Sequence, residues 1–256
     1  MQLCTSVQVA AKSGISQART RLGWEPIRLL HDQVVSPVAT AKTRGAWYKN
    51  WRLVSLDGST LNIADSQENA SIFGWPGASR GESAFPQIRF VSLVENGAHI
   101  LFGSRIDSYD TGEIMLAHQV IKSLSKDMLC LADWNFFSFE LWQEAPSTGA
   151  DLLWRVKKNV LLVPFKRFDD GSFLAKIYPS TKDRRNDSNS LIVRMIEYRL
   201  VRAPDAEPIY RLITTILNAE LAPAEDIAAL YHDRWEIETA LDELKTQLRG
   251  AKIVLF

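Results

Sequence analysis

Three runs rich in apolar and β-branched residues, WRLVSLDGSTLNIAD, IRFVSLV and ILFGSRI, precede the amphipathic helical stretch TGEIMLAHQVIKSLS. Beyond it, strand-like and helical runs alternate as DMLCLADW, NFFSFELWQEA and ADLLWRVKKN. This order constrains the chain more than any other feature. Strands joined by tight turns pair antiparallel, whereas strands separated by a helix cross over and pair parallel, so a mixed α/β sheet flanked by helices is predicted. Asp57-Gly58 predicts a tight turn with a short return strand, and Asn96-Gly97 a hairpin between the second and third runs.

Residues 6–34 read as two helices, with a break at Gly23 and the second helix starting at Pro26. Residues 35–50 read as a linker. Residues 161–219 hold short strand-like runs, FLAKIYP, LIVRMIEYRLV and YRLITTIL, around the polar loop TKDRRNDSNS, which exposes Lys182, Arg184 and Arg185. The stretch APAEDIAALYHDRWEIETALDELKTQLRG closes the chain as one long helix. With 161–219 set aside, the order is three strands, helix, strand, helix, strand, helix, which is that of a ribonuclease-H-like α/β fold. The expected organisation is an N-terminal helical region and linker over 1–50, a ribonuclease-H-like domain from 51–160 and 220–256, and a β-rich insertion over 161–219, before the last helix. Strand ends in such a sheet gather side chains at one edge. Asp57 ends the first strand, Asp133 ends the strand after the first helix, and Glu238 lies on the final helix, so three carboxylates distant in sequence converge.

Charge is informative in its distribution. Thirty basic residues balance thirty acidic ones over 256 residues. Residues 1–52 and 152–199 are each +6 and the remainder is −12, a pattern suited to gripping a polyanion that an acidic centre acts upon. Hydrophobic content of 46% supports a substantial core. No apolar run reaches membrane-spanning length, and MQLCTSVQVAAKSG lacks the pattern of a secretory leader. Cys4 and Cys130 have no ligand-like spacing, which fits a reducing cytoplasm.

In YHDRWEIETALDELK, Tyr231, Arg234, Glu238 and Lys245 are spaced three, four and seven apart. At about 100° per residue they project within roughly 60° of one helix face, beside an apolar stripe of Ile237, Leu241, Leu244 and Leu248. Taken singly, each residue has an ordinary explanation: a surface ion pair for Glu238 or Arg234, a turn for Asp57, a helix cap for Asp133. Their conjunction does not.

Four stretches carry a resemblance: LDGSTLNIADS around Asp57, FG-P-RG-AFPQ-R from Phe73 to Arg89, LADWNFFSFELW around Asp133, and the Tyr231, Arg234, Glu238, Lys245 signature. On these, the chain resembles the bacterial DDE transposases of the insertion-sequence-four class over almost its whole length. The resemblance implies metal-dependent DNA cleavage and strand transfer, with Asp57, Asp133 and Glu238 holding Mg²⁺, or Mn²⁺ as a substitute; carboxylates suit such hard cations. It implies phosphate contacts by Tyr231, Arg234 and Lys245, double-stranded DNA of transposon ends and target as partner, a homodimer in the full-length form, and a bacterial cytoplasmic, nucleoid-associated location without a membrane. Arg80 and Arg89 match family positions. Relatives place a base-stacking tryptophan in the β-rich insertion, but residues 161–219 contain none, leaving Phe165, Phe168, Phe173 and Tyr178 as alternatives. Family members usually carry longer helical regions at both ends, so the alternative expectation is a truncated, inactive remnant that binds DNA or poisons dimers.

Overall fold

The computed structural model describes residues 11–78, 81–82, 85–200, 208–232, 234 and 236–248, and for 78, 81, 82, 236–238, 247 and 248 the backbone alone. The chain divides into two units, Met1–Ser36 and Pro37–Phe256. In the first, α1 (Lys12–Leu22) ends at Gly23, whose φ of 69° suits a residue without Cβ. Then α2 (Glu25–Val34) starts with Pro26 in its first turn, and neither helix has a buried residue. Arg28 sits between Glu25 and Asp32 on the exposed side of α2.

The second unit opens with β1 (Trp47–Tyr48) and β2 (Trp51–Asn62). The Asp57-Gly58 turn expected from sequence does not form. β2 runs straight through it, because Asp57 pairs with Ser92 and Gly58 with Val91 in an unbroken antiparallel ladder. Next, α3 (Gln67–Phe73), capped by Ser66, and the small ladder β3 (Gly77–Ala78) with β4 (Gly81–Glu82) occupy the loop-like stretch. The hairpin at Asn96-Gly97 joins β5 (Gln87–Glu95) to β6 (Ile100–Ser108) as expected. After it come α4 (Glu113–Val120), β7 (Met128–Ala132), α5 (Phe139–Glu144) and β8 (Asp151–Arg155). The strand order β6-β5-β2-β7-β8, antiparallel on one side of β2 and parallel on the other, is the ribonuclease-H-like mixed sheet.

The β-rich piece prolongs this same sheet. Its strands β9 (Lys166–Arg167), β10 (Phe173–Ile177), β11 (Leu191–Tyr198) and β12 (Tyr210–Thr214) continue it in the order β8-β12-β11-β10-β9, all antiparallel. Lys182, Arg184 and Arg185 lie on the short helix α6 (Thr181–Asn186) and not on a loop. Ser180 caps that helix by accepting from Asp183 N, a local signal in S-T-K-D that favours a helical turn.

Part of the expected linker is built into the domain. The fully buried carboxylate of Glu95 accepts from Val38 N (2.8 Å) and Ala39 N (3.0 Å) and pairs with Arg52. Gly97 has φ 74°, and a Cβ there would stand 2.2 Å from the Arg44 carbonyl, so this strap lies directly on the hairpin turn.

The closing helix is interrupted. α7 (Ala224–His232) and α8 (Glu236–Glu243) are separate, with Arg234 between them, and Leu244–Leu248 forms a π-helical end. Two apolar clusters explain the split. Ile227, Leu230 and Tyr231 of α7 pack with Leu53, Leu129, Leu131 and Leu153. Ala240 and Leu241 of α8 pack with Phe90 and Val94, and Leu61 adjoins them.

Candidate active site

Side chains on a strand alternate between faces, so Leu53, Asp57 and Leu61 of β2 share one face. Leu53 belongs to the α7 cluster and Leu61 to the α8 cluster. Asp57 therefore lies midway, on the side covered by these two helices. Leu56 and Ala132 are the last registered pair of the parallel strands β2 and β7, so Asp133, one residue further, stands beside Asp57 on the same face.

Each aspartate uses one oxygen locally: Asp57 Oδ1 accepts from Gly58 N at 2.8 Å, and Asp133 Oδ1 from Trp134 N at 2.7 Å. Asp133 thereby caps the turn Trp134–Phe136, the ordinary role its sequence position also allowed. Among the described residues, the second oxygen of each accepts no hydrogen bond. Burial pushes the Asp57 carboxyl above its ordinary range; the Gly58 N–H and Arg234 oppose this, while Glu113 and Asp133 add to it.

The sequence reading missed three neighbours. Glu113 opens α4, and its Oε1 comes close to Gly58, 3.2 Å from where a Cβ there would stand. In sequence, an acid in a first helical turn reads only as a partner of the helix dipole. Arg155 ends β8 with Nη1 3.9 Å from Asp133 Oδ1 and its guanidinium 4.8 Å from the Tyr210 ring. Trp134 follows Asp133, and Lys157 Nζ sits 4.2 Å from its ring centre.

The signature residues divide. Tyr231 is buried at 6% exposure, and its hydroxyl donates to the Ala132 carbonyl at 3.3 Å. Burial raises its pKa far above that of a free phenol. Its described contact is thus with the end of β7, because its face of α7 turns into the sheet. Arg234, 9% exposed, lies 5.6 Å from the Tyr231 ring and acts electrostatically on Asp57. Glu238 lies in the first half of α8, and its side chain is outside the described residues. Lys245 lies in the π-helical end, on the order of 10 Å further along the axis at 1.5 Å per residue. The expected single arc therefore does not span one regular helix.

Arg80 lies outside the described residues. Arg89 on β5 stacks over Tyr109 at 5.0 Å. The insertion aromatics fall around the opposite edge of the sheet. Phe173 is buried on β10, Phe168 is flanked by Lys166 and Arg194, Tyr178 donates to Asp187 at 2.7 Å, and Phe165 is exposed. β10 is four strands from β7, roughly 19 Å along the sheet at the usual spacing.

The profile of the Transposase DDE domain matches residues 51–253, from the start of β2 past the end of α8. The chain belongs to this transposase family. It is 24% identical over 247 residues to the transposase InsG for insertion sequence element IS4 of Escherichia coli K12, covering 96% of this chain and 55% of InsG. It is 28% identical over 156 residues to InsZ of the same strain, covering 58% of this chain and 50% of InsZ. The chain spans about half the length of the curated relatives it matches. Among the described residues of this transposase-family chain, no three His, Cys, Asp or Glu side chains form a metal cage, and no helix is long and apolar enough to cross a membrane.

Proposed function

We propose that the chain carries out divalent-metal-dependent cleavage and transfer of DNA strands at the ends of an insertion sequence, acting on duplex DNA as a homodimer. The observation that carries this reading is the placement of Asp57 and Asp133 side by side on parallel strands, under the junction of α7 and α8.

The donor set fits a hard cation. Two carboxylates share one face, each with an oxygen left unbonded among the described residues, and Glu238 is proposed as the third ligand from α8. Burial and nearby carboxylates make Asp57 costly to ionise, a cost a bound cation removes. Bound Mg²⁺ or Mn²⁺ would neutralise charge on the phosphate and acidify the attacking hydroxyl.

The chain's own residues have distinct tasks. Tyr231 holds the backbone just before Asp133 through the Ala132 carbonyl. Arg155 beside Asp133 and Arg234 near Asp57 temper the negative charge of the pair and supply planar donors toward a phosphodiester. Lys245, further along, is proposed to meet a more distant phosphate.

The test is nicking of a labelled duplex carrying the DNA that flanks the gene, with Mg²⁺ or Mn²⁺. Nicking by the wild type and its loss in Asp57→Asn, Asp133→Asn and Glu238→Ala is the expected result. Cleavage that persists in these variants overturns the reading, and duplex binding without any cleavage favours a DNA-binding remnant.

A further inference from the structure

The turn between β5 and β6 meets two other parts of the chain. The first is the strap: the buried Glu95 carboxylate accepts from Val38 N and Ala39 N, and Gly97 lies against the Arg44 carbonyl. The second is α8, where His99 Nδ1 lies 3.2 Å from Glu243 Oε2. An ionised carboxylate only accepts, so Nδ1 carries the hydrogen and donates. His99 N also closes the turn by donating to the Glu95 carbonyl at 3.0 Å, and its φ of 55° is left-handed. Glycine takes that conformation without cost, and a residue with a Cβ does not. Glu243 is the last residue of α8, at the negative end of the helix dipole, where a carboxylate is disfavoured unless a donor meets it. Among the described residues, this is the polar contact between α8 and the sheet. Ala240 and Leu241 rest on Phe90 and Val94 through apolar contact alone, which leaves the height of the helix loosely defined.

We propose that His99 is a positioning residue for the cleavage reaction: braced by the strap, it fixes the end of α8 and so sets where Glu238 meets the Asp57–Asp133 pair. The inference rests on the proposed function for the role of Glu238, but on the turn and α8 alone for the placement. A helix moves as a rigid rod. Glu238 precedes Glu243 by five residues, about 7.5 Å along the axis, so a stop at one fixes height and rotation at the other. A slip of one residue would turn Glu238 by about 100° and shift it by about 1.5 Å. A displacement of that size costs a catalytic constellation much of its rate. The brace matters because a free loop would follow the helix. Here the turn is kept from following, since leaving the strap would strip the buried Glu95 charge of two donors. The left-handed residue then has a use, because glycine would relax the backbone and leave Glu243 without its donor.

Both side chains are part-exposed, so each can be replaced in the whole chain without opening the core. His99→Gly should leave Tm unchanged or raise it, yet slow single-turnover nicking of the same labelled duplex about tenfold. Duplex affinity should change less than about twofold, which places the loss in the chemical step. Glu243→Ala should slow nicking as much, and Glu243→Gln, which keeps an acceptor, should retain most of the rate. His99→Gly combined with Glu243→Ala should be no slower than either alone, the mark of one shared contact. In metal-free buffer, native-state hydrogen exchange of α8 amides should quicken about fivefold in His99→Gly and Glu243→Ala, with α7 unchanged. Nicking by His99→Gly within about twofold of wild type, a rate loss matched by a fall in Tm, or losses that multiply in the double variant overturns the proposal. A wild type that never nicks removes the cleavage reading, and α8 exchange then decides the placement. Exchange quickened in both variants but not in Glu243→Gln supports it, and unchanged exchange overturns it whether or not the chain nicks.

Discussion

The two halves of the signature helix are held in different ways. α7 is fastened by polar groups at several points as well as by core packing. Asp170 accepts from Ala224 N at 2.9 Å and from the fully buried Arg194 at 2.6 Å, so a carboxylate faces the positive end of the helix. Arg194 also donates to the Ala222 carbonyl at 2.5 Å and to Ser172 Oγ at 2.8 Å, Tyr48 donates to Asp226 at 3.2 Å, and Tyr231 reaches Ala132. The described contacts of α8 are mainly apolar, through Ala240 and Leu241, with one part-exposed pair of His99 and Glu243 at 3.2 Å. Directional bonds fix the rotation and height of a helix. Apolar contact is less directional and tolerates sliding. Among the described residues, the half that contacts the Asp133 strand is held by directional bonds, while the grip on the half that carries Glu238 is mainly apolar.

The sharpest way to break this comparison is Arg194→Ala, which leaves Asp170 and two carbonyls without their cation. Urea unfolding should show a loss of about 3–5 kcal/mol, as for removal of one partner of a buried pair. A loss under about 1 kcal/mol, the scale of a surface pair, would mean that α7 does not depend on the clamp. Leu241→Ala should cost about 2–4 kcal/mol through the cavity it leaves under α8. Native-state hydrogen exchange should then show faster opening of α8 amides, with those of α7 little changed. Equal acceleration in both would show that the halves open as one unit. Tyr231→Phe should cost about 1 kcal/mol for one hydrogen bond, and should lower nicking more than it lowers duplex binding if the hydroxyl serves to hold Asp133.

Two smaller effects depend on pH and have opposite signs. Burial raises the Asp170 carboxyl, but donation from Ser172 and Ala224 N and the charge of Arg194 outweigh it, so its pKa is depressed. Its stabilisation is therefore present above the ordinary carboxylate range and is lost as pH falls through the lowered value. Asp170→Asn should flatten the acid limb of Tm against pH. For Asp57 the shift is upward, chiefly through burial. The folded state holds that proton more tightly than the unfolded one, so stability falls as pH rises through the carboxylate range. In metal-free buffer Asp57→Asn should raise Tm slightly at neutral pH and change it little in acid. A lowered Tm at neutral pH would mean that the charge is stabilised by partners other than a cation.

Much of this was legible because it depends on local periodicity and order. The hairpin at Asn96-Gly97, the helix ends at Gly23 and Pro26, and the strand–helix alternation from Trp51 to Arg155 follow from backbone preferences that a few neighbouring residues set. The same order made β2 and β7 neighbours and so put Asp57 beside Asp133, although Asp57 lies within β2 and not at its end. Other features were not legible, since distant groups decide them. Asp57-Gly58 has the composition of a turn, yet the ladder with Ser92 and Val91 keeps it extended. The continuous period of the last stretch gave no sign that it divides into α7 and α8, whose described residues seat on two separate clusters. Sequence by itself determined which residue types stand on the core strands and in what order those strands arrive. Only the tertiary structure decided that the β-rich piece extends the sheet, that Arg194 bolts α7 to it, and that Arg155 stands beside Asp133, since each depends on contacts between residues about twenty or more positions apart, which no local pattern reveals.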